Sequence, residues 1–152
     1  MKTYARLSDL NALVGQIVGS SDWITIDQSR IQQFADATGD HQWIHLDVER
    51  AKSGQYKGTI AHGFLTLSLL PHLMSAAFAV SDVTAAVNYG LNRVRFPAPV
   101  PAGSRVRGTF RLRALEPMPG GLQVELEATI ELEGSAKPAC VAQSIVRMSA
   151  QA

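Results

Sequence analysis

The sequence predicts an α+β fold in which a curved antiparallel sheet wraps one apolar helix. Three observations carry this reading. The segment from Gly63 to about Val80 is apolar around most of a helical circumference. Four stretches of strand character follow it, at about 84–96, 104–115, 122–133 and 138–148. The middle two alternate apolar residues with charged ones, and one is rich in arginine where the other is rich in glutamate.

At 152 residues the chain is expected to form one domain, 1–152, with room for a sizeable core. The formal net charge of +1 supplies no general attraction to nucleic acid or to a membrane surface. Cys140 is the one cysteine, so no intrachain disulfide is expected and a reducing cytoplasm suits the chain. The opening MKTYARLSDLNALVG lacks the apolar run of a secretory signal. The apolar stretch after Gly63 is interrupted by Thr66, Ser68, Pro71, His72 and Ser75, which fits a buried helix better than a membrane span.

Element by element, Leu7, Leu10, Leu13 and Val14 have helical spacing, and Trp23 to Asp27 reads as a short strand. A helix follows, capped by Asp27 or Ser29, with Ile31, Phe34 and Ala35 on one face and Gly39 as its stop. A polar loop then carries Asp40 and His45, and a short helix spans about Val48 to Ser53. The main helix from Gly63 to about Val80 should be buried on nearly all sides, with His72 packed. Pro71 should kink or break it, because proline lacks the N–H that a helix interior uses.

The two patterned strands suggest their own register. Pairing Arg113 with Glu125 places Arg111 opposite Glu127, Thr109 opposite Thr129, Arg107 opposite Glu131 and Arg105 opposite Glu133. Each cross-strand pair contributes only about 0.2–1 kcal/mol, so charge here selects register more than it stabilises. The turn between them lies within Pro117 to Gly121. An antiparallel sheet with one apolar face around a single apolar helix is the hot-dog architecture.

The candidate chemistry lies in two short motifs. Asp40 and His45 are five residues apart, and Gly63 follows His45 by eighteen. A carboxylate can take a proton, and an imidazole can hold or donate one. The Gly63 N–H, at a helix start, can face a developing negative charge. Alone, Asp40 reads as a turn residue and His45 as structural; the joint spacing with His62-Gly63 makes the set informative. All four histidines, His41, His45, His62 and His72, fall in one stretch, but no standard zinc spacing is present and no metal is expected.

The stretches GDHQWIH (Gly39 to His45), AHGFLTLSLL (Ala61 to Leu70) and NRVRFPAPVPAGSRV (Asn92 to Val106) resemble the MaoC-like dehydratases. That family includes the (R)-specific enoyl-CoA hydratases, and its hallmark is a GDxNPxH loop followed by an HG helix start. Here Gln42-Trp43 replaces Asn-Pro, in the manner of the branch similar to nodulation protein N. The resemblance implies that Asp40 and His45 hold the water that adds to a trans-2-enoyl thioester. It implies that the Gly63 N–H binds the thioester carbonyl, and it makes Ser68 the nearest candidate for a helix serine that some members carry. It implies no metal or redox cofactor, coenzyme A or acyl carrier protein as the substrate's handle, and a homodimer.

Several further residues are expected at the substrate. Trp43 either reaches the acyl tunnel or packs on the central helix. His62 either caps the helix or lines the pocket. Arg93 and Arg95 have no glutamate opposite them in the patterned hairpin, so they are the better candidates for coenzyme A phosphates. Cys140 reads as a small core residue. A hot-dog thioesterase, or a non-catalytic protein that binds acyl thioesters, would use the same fold and remains the alternative.

Overall fold

The computed structural model describes residues 1–150. The chain runs β1 (Lys2–Tyr4), a 3₁₀ helix (Leu7–Leu13), β2 (Ile17–Ser20), β3 (Ile24–Ile26), α1 (Gln28–Thr38), α2 (Trp43–Leu46) and α3 (Val48–Lys52). It continues with α4 (Gly63–Ser68), α5 (Leu70–Ala77), β4 (Phe78–Val80), β5 (Val83–Arg95), β6 (Ser104–Met118), β7 (Gly121–Leu132) and β8 (Cys140–Ala150). The main sheet is antiparallel in the order β2-β6-β7-β8-β5, and β3 adds to β6 beside β2.

The alternation in β6 and β7 makes this sheet one-sided. Phe110, Leu112, Val124, Leu126, Ala128 and Ile130 are almost wholly buried, together with Leu73 and Ala77 of α5. Gly19 and Gly108 let the sheet approach α5 closely: a Cβ on Gly19 would lie 2.6 Å from the Ala77 carbonyl oxygen, and one on Gly108 would lie 2.9 Å from Leu73 Cβ. The β6–β7 register is the one the charges select, with Arg107 opposite Glu131, Thr109 opposite Thr129 and Arg111 opposite Glu127. Arg105 and Glu133 form a 3.0 Å ion pair at the end of the ladder.

The expected Arg113–Glu125 pairing is displaced. A bulge between Leu112 and Ala114 puts Ala114 opposite Glu125, and Arg113 reaches Glu127 at 3.3 Å. An extra residue in one strand of a ladder has this effect. Arg111, relieved of Glu127, donates to the Gly15 carbonyl oxygen at 2.6 Å. The turn is tighter than expected: only Pro119 and Gly120 lie outside the strands, and Gly120 takes φ +74°, a conformation glycine adopts without strain.

The central helix breaks beside Pro71 as expected, and departs from expectation in where it ends and in how it is buried. It breaks at Leu69, so Pro71 falls in the first turn of α5, where a missing N–H is tolerated. It ends at Ala77, and Phe78–Val80 forms β4, paired in parallel with β1. Its burial is one-sided: Phe64 is 69% exposed. Ser68, Pro71, His72 and Ser75 are exposed too, so His72 does not pack. Ser68 and Pro71 line a groove with Tyr89 and Leu91 of β5, the sheet edge, where Val87 also stands in solvent.

Candidate active site

Local signals bring Asp40 and His45 to one place. Asp27 caps α1 by accepting from the Arg30 N–H, and Gly39 ends it in a left-handed turn at φ +79°. Asp40 follows directly, with its carboxylate Oδ1 accepting from the Gln42 N–H at 3.3 Å. The stretch expected as loop then turns into α2, and His45 is carried inward until it is only 6% exposed.

A second segment runs beside α2 and is fastened to it at several points. The Ile60 N–H donates to the Ile44 carbonyl oxygen at 3.1 Å. His45 Nδ1–H donates to the Ile60 carbonyl oxygen at 2.7 Å. Gln28, at the start of α1, donates to the His45 carbonyl oxygen at 2.7 Å and accepts from the Thr59 hydroxyl at 2.6 Å. The segment then delivers His62 and Gly63 to the start of α4.

The carbonyl of Ile60 can only accept, so Nδ1 of His45 carries the proton of that bond. Burial, the strongest influence, pushes the His45 pKa below its ordinary value, and the nearby His62 adds to this. The Ile60 bond and the Asp40 charge oppose it, and the net direction is downward. His45 is therefore neutral near pH 7, with a free lone pair on Nε2.

Asp40, His45 and His62 bring a carboxylate oxygen and two ring nitrogens within 4.8 Å of one another. One water molecule, with hydrogen bonds of about 2.8 Å on each side, spans such a gap. The same three groups are the types that bind metals. Here each histidine gives a ring nitrogen to a backbone carbonyl, and the rings stack at 3.7 Å with planes 24° apart. Lone pairs in near-parallel planes do not converge as tetrahedral zinc ligands do.

Gly63 and His45 line one cavity of about 260 Å³, together with Thr66, Tyr56, Phe96 and Ala98 among others. Gly63 is the first residue of α4, and its N–H has no backbone partner among the described residues. A Cβ there would sit 3.1 Å from the Phe96 ring, a tight contact that the ring would have to yield to.

The remaining expected residues lie elsewhere. Ser68 is exposed and donates back to the Phe64 carbonyl oxygen at 2.6 Å, away from His45. Thr66, buried at 3%, is the helix hydroxyl that lines the cavity. It lies three residues after Gly63 and so on the same helix face, a spacing the sequence contains. Trp43 carries Arg50 over its ring at 4.1 Å and lines a separate cavity with Gly54 and Tyr56. Arg93 and Arg95 are exposed on β5. Cys140 is fully buried, and burial pushes its thiol up to about 11, so it packs as a neutral side chain. No helix among the described residues is long and apolar enough to cross a membrane.

Residues 9–129 match the model of the MaoC like domain, which is most of the chain. The chain belongs to this family. It is 57% identical over 148 residues to 3-hydroxyacyl-thioester dehydratase Z of Mycobacterium tuberculosis, covering 97% of this chain and 98% of the relative. It is 47% identical over 142 residues to nodulation protein N of Rhizobium leguminosarum bv. viciae, covering 91% and 88%. Among solved structures, an R-hydratase from Pseudomonas aeruginosa superposes with a TM-score of 0.73 at 22% identity, covering 91% of this chain and 83% of the other. That likeness bears out the hot-dog fold.

Proposed function

We propose that this protein is a hydro-lyase that interconverts trans-2-enoyl thioesters and (R)-3-hydroxyacyl thioesters. The observation that carries the reading is the buried His45, its Nδ1 bonded to the Ile60 carbonyl, close to the Asp40 carboxylate and lining one cavity with Gly63. The dehydratase name of the 57% identical relative supports the same reaction class.

In hydration, a water molecule donates one hydrogen bond to Asp40 and the other to His45 Nε2. Its oxygen attacks C3 while Asp40 accepts a proton. The π electrons move toward the carbonyl, and the enolate oxygen takes negative charge in front of the Gly63 N–H. A proton returned from the acid/base pair to C2 completes the addition of H and OH. The pair ends in its starting state. No electrons are gained or lost overall, so the reaction needs no redox cofactor. Dehydration is the reverse. Coenzyme A or an acyl carrier protein carries the acyl group, and the exposed Arg93 and Arg95 are available to the phosphates.

Crotonyl-CoA should lose its enoyl absorbance on addition of the protein, with no free thiol released. Asp40→Asn and His45→Ala should each lower kcat by about 10²–10⁴ while the fold is retained. Full turnover by a folded Asp40→Asn protein contradicts the mechanism, and release of thiol shows a thioesterase instead.

The Gly63 donor is separable from its steric role. Gly63→Ala keeps the N–H and requires only that the Phe96 ring give way by a few tenths of an ångström. Gly63→Pro removes the N–H as well, at a helix position that tolerates proline. The proline variant should lose about 10²–10³ in kcat relative to wild type, and the alanine variant much less. Equal losses in the two variants would place the oxyanion donor elsewhere.

The working unit is a homodimer built on β5. This strand is a long open edge carrying Val87, Tyr89 and Leu91 in solvent, and Phe64 of α4 meets Phe96 beside the cavity at 6.1 Å. A long apolar edge left uncovered invites aggregation. Light scattering at micromolar concentration should give twice the chain mass. Leu91→Lys combined with Tyr89→Lys should give monomers, and a wild-type monomer with full activity would refute the dimer.

A further inference from the structure

His62 has no place in the water-activating step, yet it is among the most constrained side chains in the site. It is 3% exposed. Its Nε2–H donates to the Asp40 carbonyl oxygen at 3.0 Å, across 22 residues of sequence. One side of its ring stacks on His45 at 3.7 Å, and Phe34 lies 5.0 Å away at a tilt of 55°. It makes no side-chain cap to α4, and its Nδ1 has no hydrogen-bond partner among the described residues. The Asp40 bond is therefore its one polar attachment.

The loop that bears Asp40 needs such an attachment. Its other hydrogen bonds are local: Gly39 N–H to Ala35, His41 to Asp36, Gln42 N–H to Asp40 and His45 N–H to Gln42. Among the described residues, the His62 bond is the one that joins residues 40–42 to a distant part of the chain. The Asp40 side chain is 55% exposed, so packing does not hold it. Position 43 is tryptophan, which leaves φ free where a proline would fix it.

We propose that His62 is a positioning residue that sets the separation of Asp40 and His45, tying the backbone of one to the ring face of the other. This rests on the reading of Asp40 and His45 as the water-activating pair. The hydrogen bond fixes where the loop sits, against an imidazole that the Ile60 carbonyl already holds and that the His62 ring packs against. A water molecule held between two groups tolerates little change in their spacing, and a displacement of about 1 Å costs on the order of 10²-fold in rate.

Two substitutions separate the parts. His62→Phe keeps a ring against His45 and removes the donor to Asp40. His62→Gln removes the ring and retains an amide N–H that can reach the Asp40 carbonyl. His62→Phe should lower kcat by about 10–100-fold with KM within about threefold. His62→Gln should recover most of that loss. A folded His62→Phe protein with wild-type kcat overturns the proposal. So does a change confined to KM, which would mark a substrate contact, or a His62→Gln variant as slow as His62→Phe. Backbone amide spectra of His41 and Gln42 supply a readout independent of turnover. They should broaden or shift in His62→Phe, and unchanged spectra overturn the positioning role. If wild-type protein turns over no enoyl thioester while those amides respond as expected, the hydratase reading fails and the positioning claim stands.

Discussion

The hydrogen bond from His45 Nδ1–H to the Ile60 carbonyl oxygen, 2.7 Å long, holds the candidate site together. It joins α2, which comes before the central helix, to the segment that leads into that helix. It chooses the tautomer of His45 and so turns a buried imidazole into an acceptor on the nitrogen that remains. Gln28 braces the same junction from α1 by bonding both the His45 backbone and Thr59. Asp40 and His45, the proposed acid/base pair, are far in sequence from Gly63. Their meeting depends on this short backbone seam.

The fold supplies the frame for the seam. A sheet with one apolar face wraps α5, and glycines in β2 and β6 allow close approach to the helix. The helix break at Leu69 separates two tasks. The short α4 presents Gly63 and Thr66 to the cavity, while α5 fills the sheet with Leu73 and Ala77. The face turned away from the sheet keeps exposed apolar groups beside the open edge of β5. Water addition needs a site shielded from bulk solvent, and a second copy on that face would extend the shield.

Much of this was legible in the sequence because it rests on local rules. The Asp27 cap, the Gly39 stop, the four long strands and the Arg–Glu ladder follow from capping chemistry, glycine conformation and two-residue alternation. What was not legible depends on partners distant in sequence. β1 and β2 are too short to show a period, and they are strands because β4 and β6 offer them edges. α2 is four residues long and reads as polar loop. The bulge at Arg113 leaves the residue types unchanged and alters only the count. Ser68 attracted attention as the serine of the helix, but Thr66 lies on the face that the fold turns to the cavity. His62 read as a helix cap or a pocket lining, and its bond to the Asp40 carbonyl oxygen forms only where the two motifs meet.

The central claim is that His45 stands neutral with its proton on Nδ1, leaving Nε2 to accept from water. Long-range proton–nitrogen NMR of the ¹⁵N-histidine-labelled protein at neutral pH reads this directly. His45 should show a protonated Nδ1 and an unprotonated Nε2, with the ring gaining its second proton only below the ordinary imidazole value of about 6.5. A ring protonated on Nε2 at neutral pH, whether as the other tautomer or as the imidazolium, would contradict it.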